Sequence, residues 1–244
     1  MRTEHGAIAR IWNWRITAFC ALILLVVAIM AVSFGPISIN FFKVFKTLFD
    51  LPGGSTGQDR TVILELRLPR VILGALVGAA IATSGAVYQT VFHNPLADPY
   101  LLGAASGAGL GATIALTSTH HDLHAALPIF AFLGGVLAVF TSFVISGKLF
   151  ADTNSLLLSG IAVGSFETAI QTYLQQKHSA ALRPVYSWIL GDLTSANWGV
   201  VTWSAVYILI ALGILFTVAK QLDGLMLSDE ERSEEHTSEL QSRQ

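Results

Sequence analysis

The chain has 244 residues, of which 53% are hydrophobic and only 12% charged, with a mean hydropathy of +0.61. A soluble globular protein carries about 25% charged residues, so this chain lacks the polar cover that a water-facing body of its size needs, and a soluble enzyme is excluded. The net charge of −2 supplies no basic face for nucleic acid, and the lone Cys20 makes no internal disulfide and no metal cluster. The charge is unevenly placed: eight charged residues fall between Asp229 and Gln244.

Crossing a bilayer takes about 20 mostly apolar residues. Six runs are read as spans: Ile16–Phe34, Val71–Phe92, Tyr100–Leu116, Ala126–Ser146, Ser155–Leu174 and Val200–Ala219. Each is predicted as a helix, because backbone N–H and C=O groups in hydrocarbon must pair within their own segment. Arg2, Arg10 and Arg15 precede the first run, yet no small-residue cleavage site follows it, so it is read as a retained helix rather than a signal peptide. Trp12, Trp14, Trp188, Trp198 and Trp203 stand at span ends and are read as headgroup anchors.

Between the first two runs, residues 38–50 place Phe41, Phe42, Phe45, Leu48 and Phe49 on one helical face, with Lys43, Lys46, Thr47 and Asp50 opposite. That pattern predicts a helix lying in the interface plane, which Pro52 to Gly57 then breaks. A second mixed segment, Pro184–Leu193, is also read as lying along the membrane surface. Inside the spans, glycines recur every four residues at Gly74/Gly78, Gly103/Gly107/Gly111 and Gly160/Gly164, a spacing that lets helix backbones approach closely. The glycine-rich stretch Gly103–Gly111 lacks the Lys-Ser/Thr of a phosphate-binding loop, and no such loop occurs elsewhere. ATP hydrolysis, if it drives this protein, belongs to another polypeptide. His120, His121 and His124 with Asp122 form the one constellation resembling a metal site, but short loops often hold histidine without metal, and no metal is assigned. No set of side chains suits nucleophilic catalysis, so no catalytic residue and no cofactor on this chain is expected.

The stretch from Glu65 to Gly111 carries three ordered motifs: Arg67-Leu68-Pro69-Arg70, the small-residue run from Val77 to Ala86, and Asn94-Pro95-Leu96-Ala97-Asp98-Pro99 before Leu101-Leu102-Gly103. In these motifs the sequence resembles the membrane permease subunits of binding-protein-dependent ABC importers for iron–siderophores, haem and vitamin B12. Weaker similarity continues through Leu156–Gly160, Trp188–Gly191 and Leu222–Glu231. The resemblance implies an all-α, multi-pass protein of the bacterial cytoplasmic membrane, with ten helices per subunit, of which six are expected here. It implies a second permease subunit, two ATPase subunits and a substrate-binding protein as partners. It also implies that Arg67 and Arg70 lie on the outer face and receive carboxylates of the binding protein, a role suited to guanidinium forks. An ordinary helix-end anchor is the plainer role for such arginines.

On the same resemblance the loop Asn94, Pro95, Leu96, Ala97, Asp98, Pro99 lies inside, as a stiff turn with a contribution to gating. The count of lysines and arginines on inner and outer segments does not support this orientation, which rests on the resemblance. Glu167, the one acid well inside a predicted span, is expected either beside the translocation path or packed against Thr168, Gln171 or Thr172. An ion-coupled secondary transporter using Glu167 and a non-transporting membrane assembly protein stand as alternatives. Residues 232–242, Arg-Ser-Glu-Glu-His-Thr-Ser-Glu-Leu-Gln-Ser, look like translated adapter sequence. On that reading 1–231 is the N-terminal part of a longer transmembrane domain and 232–244 is an artefactual tail, which resequencing the locus would test. Uptake by this chain alone is accordingly not expected.

Overall fold

The computed structural model describes residues 14–36, 38–118, 126–147 and 153–241, with the side chains of 153–154 and 223–241 outside the description. The histidine constellation at His120, His121 and His124 with Asp122 lies outside the described residues, as do Trp12 and Lys148. Every regular element among the described residues is helical. In chain order they are α1 (Trp14–Ser33), α2 (Phe41–Leu48), α3 (Gln58–Thr61), a π-helical turn (Val62–Arg67), α4 (Leu68–Val91), a 3-10 turn (Pro99–Leu102), α5 (Ala104–Thr117), α6 (Leu127–Ile145), α7 (Thr153–Lys177), a 3-10 turn (Ser179–Ala181), α8 (Leu182–Leu190) and α9 (Trp198–Gln241).

Helices thus stand at all six predicted runs, but among the described residues only four are both long and apolar enough to cross a membrane: Trp14–Ser33, Gln58–Val91, Leu127–Ile145 and Trp198–Leu222. The expected count of six spans is not carried by length and apolarity. α5 has 14 residues, about 21 Å of helix against a hydrocarbon core of about 30 Å. It begins at Ala104 because Asp98 caps the preceding turn by accepting from Tyr100 N, and Gly103 ends that turn at φ +82°. α7 is long enough at 25 residues, but it carries Glu167, Gln171, Gln175 and several hydroxyls, so its apolarity falls short. α9 continues as helix well past the predicted end at Ala219, to Gln241.

The chain divides into two compact units, Met1–Leu76 with Leu193–Ala205, and Val77–Asp192 with Val206–Gln244. In the first, Val32, Ile39, Val44 and Ile63 form a core against which Leu48, Val62, Leu64, Leu68 and Val71 pack. The π-turn has a local cause. Leu68 N donates to Ile63 O, five residues back; the next bond of that ladder would run from residue 69 to Leu64 O, but residue 69 is proline and has no N–H. The indole Nε1 of Trp198 donates to Leu64 O instead, at 3.0 Å. Trp198, read from sequence as a headgroup anchor, is therefore also the partner of an orphaned carbonyl. Trp198→Phe is expected to lower stability by about 0.5–1.5 kcal/mol, the net worth of an ordinary hydrogen bond, seen as a lower unfolding midpoint in detergent; an unchanged midpoint would remove this role.

In the second unit α5 is the central helix, and six of its small residues, Gly107, Gly109, Gly111, Ala112, Thr113 and Ala115, are buried. A Cβ on Gly107 would overlap the carbonyl oxygen of Gly134 in α6, one on Gly111 that of Phe130, and one on Gly160 in α7 that of Leu101. Backbone against backbone, α5 is held between α6 and α7. Hydroxyls stitch the same region: Ser142 Oγ lies 3.1 Å from Leu102 O, and Ser159 Oγ donates to Ser142 O at 2.8 Å.

Candidate functional site

The two arginines expected to act as a pair are placed differently. Arg67, on the last residue of the π-turn, is 8% exposed. Its Nη1 donates to Val32 O at 2.8 Å and Ser33 O at 2.9 Å. Those carbonyls belong to the last turn of α1, where no intrahelical donor remains and the helix dipole favours a cation. The guanidinium also lies over Gly35, where a Cβ would come within 2.7 Å of Nη2. Arg67 thus closes the end of α1 from within. Arg70, one helical turn further, is half-buried, and its Nε is buried with no hydrogen-bond partner among the described residues. Of the pair, Arg70 has the uncommitted donor.

The loop from Asn94 to Pro99 is a closed turn. Asn94 Oδ1 accepts from Leu96 N at 2.9 Å, Asp98 Oδ1 accepts from Tyr100 N at 2.7 Å, and Gln89 Nε2 donates to Pro95 O at 3.1 Å. Ala97 is buried beneath it, whereas Leu96 at its tip is 82% exposed. His93, just before it, adopts φ +48°, a left-handed conformation that reverses the chain after α4.

Glu167 lies partway along α7, facing α5. Its Oε2 is 3.1 Å from Ser106 Oγ, which also lies 2.9 Å from Gly103 O. A hydroxyl has one proton, so Ser106 donates to only one of these and accepts at its lone pairs. Ser106 in turn lines a cavity of about 670 Å³ bounded by α5, α7 and α8, with Tyr100, Gln171, Tyr186 and Trp188 on its walls. Trp188, read from sequence as a headgroup anchor, therefore faces this cavity. Of the neighbours anticipated for Glu167, Thr168 donates to Gly164 O and Thr172 to Thr168 O, each back along α7. The residue bonded to Glu167 is Ser106, 61 positions away, which only the fold reveals. Glu167→Gln, whose amide can still meet Ser106, should keep the unfolding midpoint within about 1 kcal/mol, while Glu167→Leu removes the bond and should fall below it. Equal midpoints for the two would show that the Ser106 bond contributes nothing.

The glycines also divide. Gly103, Gly107, Gly111, Gly160 and Gly164 all sit against neighbouring helices, whereas a Cβ at Gly74 would touch only Leu193 Cδ1 at 3.7 Å and one at Gly78 would meet nothing within 4 Å. No group of three or more potential metal ligands is found among the described residues.

Residues 23–234 match the FecCD transport family. The chain belongs to that family. It is 35% identical over 173 residues to the cobalamin import system permease protein BtuC of Halobacterium salinarum, covering 70% of this chain and 47% of the relative. It is 32% identical to the Fe(3+)-citrate import system permease protein YfmE of Bacillus subtilis, covering 86% of this chain and 62% of the relative. The hemin transport system permease protein HmuU of Yersinia pestis is 33% identical, with 87% and 64% covered. Among solved structures, an inward-facing metal-chelate type ABC transporter superposes with a TM-score of 0.73 at 25% identity, over 90% of this chain and 67% of that one. The chain therefore spans about half to two-thirds of the length of these relatives. Family and apolar helices together make it a multi-pass membrane protein.

Proposed function

We propose that the protein is the permease subunit of a binding-protein-dependent ABC importer for iron–siderophore, haem or cobalamin-type chelates. The observation that carries this reading is the family match across 23–234, whose relatives are permeases of cobalamin, iron-citrate and hemin systems. ATP hydrolysis falls to partner subunits, since no phosphate-binding loop occurs in this chain. Chelate arrives on a substrate-binding protein, crosses the membrane along a path between two permease subunits, and leaves as the ATPases change conformation. The Asn94–Pro99 turn, closed on itself with Leu96 projecting, contributes to the inner gate. Arg70 receives a carboxylate of the binding protein: the residue is only half-buried, and a guanidinium fork suits a carboxylate. Arg67 supports that surface by fixing α1 against the turn that presents Arg70.

The test is reconstitution of the permease with its ATPase and binding protein in vesicles. ATP-driven chelate uptake that survives an uncoupler supports the importer; uptake abolished by the uncoupler would instead establish ion coupling. In the same system Arg70→Glu should abolish stimulation of the ATPase by the binding protein while leaving basal hydrolysis intact. Undiminished stimulation would overturn the docking role.

A further inference from the structure

α2 has three faces, and the structure assigns them differently from the sequence pattern. Its inner face is Val44 and Thr47, exposed by 0% and 3%, packed into the core with Val32, Ile39 and Ile63. Thr47 belongs there because its hydroxyl is doubly used, donating to Lys43 O at 2.7 Å and accepting from Ser55 N at 2.6 Å. At about 100° per residue, Phe41, Phe45, Phe49 and Phe42 fall within one arc beside that inner face. These rings project outward, Phe42 72% and Phe49 58% exposed. They also meet one another, Phe41 edge-on to Phe42 at 5.8 Å and Phe45 tilted on Phe49 at 4.6 Å between centroids. The third face is ionic: Lys43 pairs with Asp59 at 3.2 Å, Arg60 with Asp50 at 3.1 Å beside it, and exposed Lys46 has no anionic partner among the described residues.

An apolar face beside an ionic face, on a helix of eight residues held at the end of a membrane span, defines a depth. α2 packs on the last turn of α1 through Val32, so it sits where α1 leaves the hydrocarbon. Exposed apolar side chains run along α1 from Phe19 to Met30, and Phe34 just past it and the phenylalanines of α2 are exposed as well. We propose that α2 is seated at the headgroup–acyl boundary of the leaflet in which α1 ends. Its phenylalanines rest on acyl chains, and Lys46 stands at the level of the lipid phosphates. Packing on the end of a spanning helix that itself exposes apolar side chains favours lipid over a protein partner, and Lys46, without an anionic partner among the described residues, supplies the charge complement to a phosphate.

The experiment attaches a spin label to Cys introduced singly at Phe42, Phe45 or Lys43, in a Cys20→Ser background, with the full chain in phosphatidylglycerol–phosphatidylethanolamine vesicles. Power saturation compares collisions with oxygen, which concentrates in lipid, and with a water-soluble nickel chelate. The labels at 42 and 45 should favour oxygen and the label at 43 nickel, and Lys46→Glu should raise nickel access at 42. Because Phe42 is largely exposed, its label does not depend on the Phe45–Phe49 stack surviving. Nickel access at both 42 and 45 would mean that the aromatic face is in water, and low access to both reagents would mean that a second copy or another polypeptide covers it. Either result overturns the proposal.

Discussion

Arg67→Ala is expected to destabilise the protein by about 3 kcal/mol, the larger end of what hydrogen bonds to a charged group contribute. Val32 O loses its guanidinium donor and Ser33 O keeps only the longer bond from Ile39 N at 3.5 Å, in a site where the residue is 8% exposed and water replaces the guanidinium poorly. Arg67→Lys should recover part of the loss, since an ammonium can reach one carbonyl but lacks the planar fork. Arg67→Glu should be worse than alanine, because it sets a carboxylate against carbonyl oxygens at the negative end of a helix. The measurement is the unfolding midpoint in detergent across the series Arg, Lys, Ala, Glu. A midpoint independent of residue 67 would dismiss the clamp. The series has a consequence for function as well: reversing both arginines at once would confuse a folding defect with a docking defect, so recognition is tested on Arg70 alone.

The helical architecture was legible because apolar runs of spanning length leave the backbone only one way to pair in lipid. The six runs located six helices; most ends moved by only a few residues, but the second helical run starts as early as Gln58 and α9 continues to Gln241. What composition could not tell is which of these helices spans unaided. α5 is too short and α7 too polar to do so alone, because both face protein: α5 buries glycines and α7 directs Glu167 and Gln171 toward it. Sequence windows average over a helix surface and so do not separate a lipid-facing side from a protein-facing one.

At the candidate sites the motif was legible and the local contacts were not. Arg67 and Arg70 look equivalent in Arg-Leu-Pro-Arg, and the difference between them depends on a π-turn. That turn leaves Leu64 O without a backbone donor at Pro69, and a tryptophan 134 positions away supplies one. Pro69 was the available signal, since a proline within a helix always orphans a carbonyl behind it; nothing local says where the replacement donor comes from. The bond between Ser106 and Glu167 is hidden in the same way, by sequence distance. The α2 pattern was read correctly as amphipathic, but Thr47 was assigned to the polar side because a hydroxyl counts as polar until its two bonds are known.

Gly107→Val and Gly78→Ala should have opposite effects although both glycines belong to the same four-residue spacing. At Gly107 any Cβ would overlap the carbonyl oxygen of Gly134 and come within 2.5 Å of Ala138 Cβ, and Gly134 faces Gly107 in the reciprocal contact. Both partners are backbone or short side chains that cannot swing aside, so relief requires α5 and α6 to part along the line that also holds Gly111 on Phe130. Overpacking of a core usually costs about 1–3 kcal/mol, and the rigid neighbours place this site at or beyond the upper end. Loss of the monodisperse folded fraction in detergent is the expected readout. Gly78 has nothing within 4 Å of a built Cβ, and alanine there removes backbone freedom worth about 0.5–1 kcal/mol in a helix, so this chain should become slightly more stable. If both variants lose stability to the same degree, the spacing alone governs packing; if they diverge as expected, the spacing permits close approach and the neighbouring helix decides whether it is used.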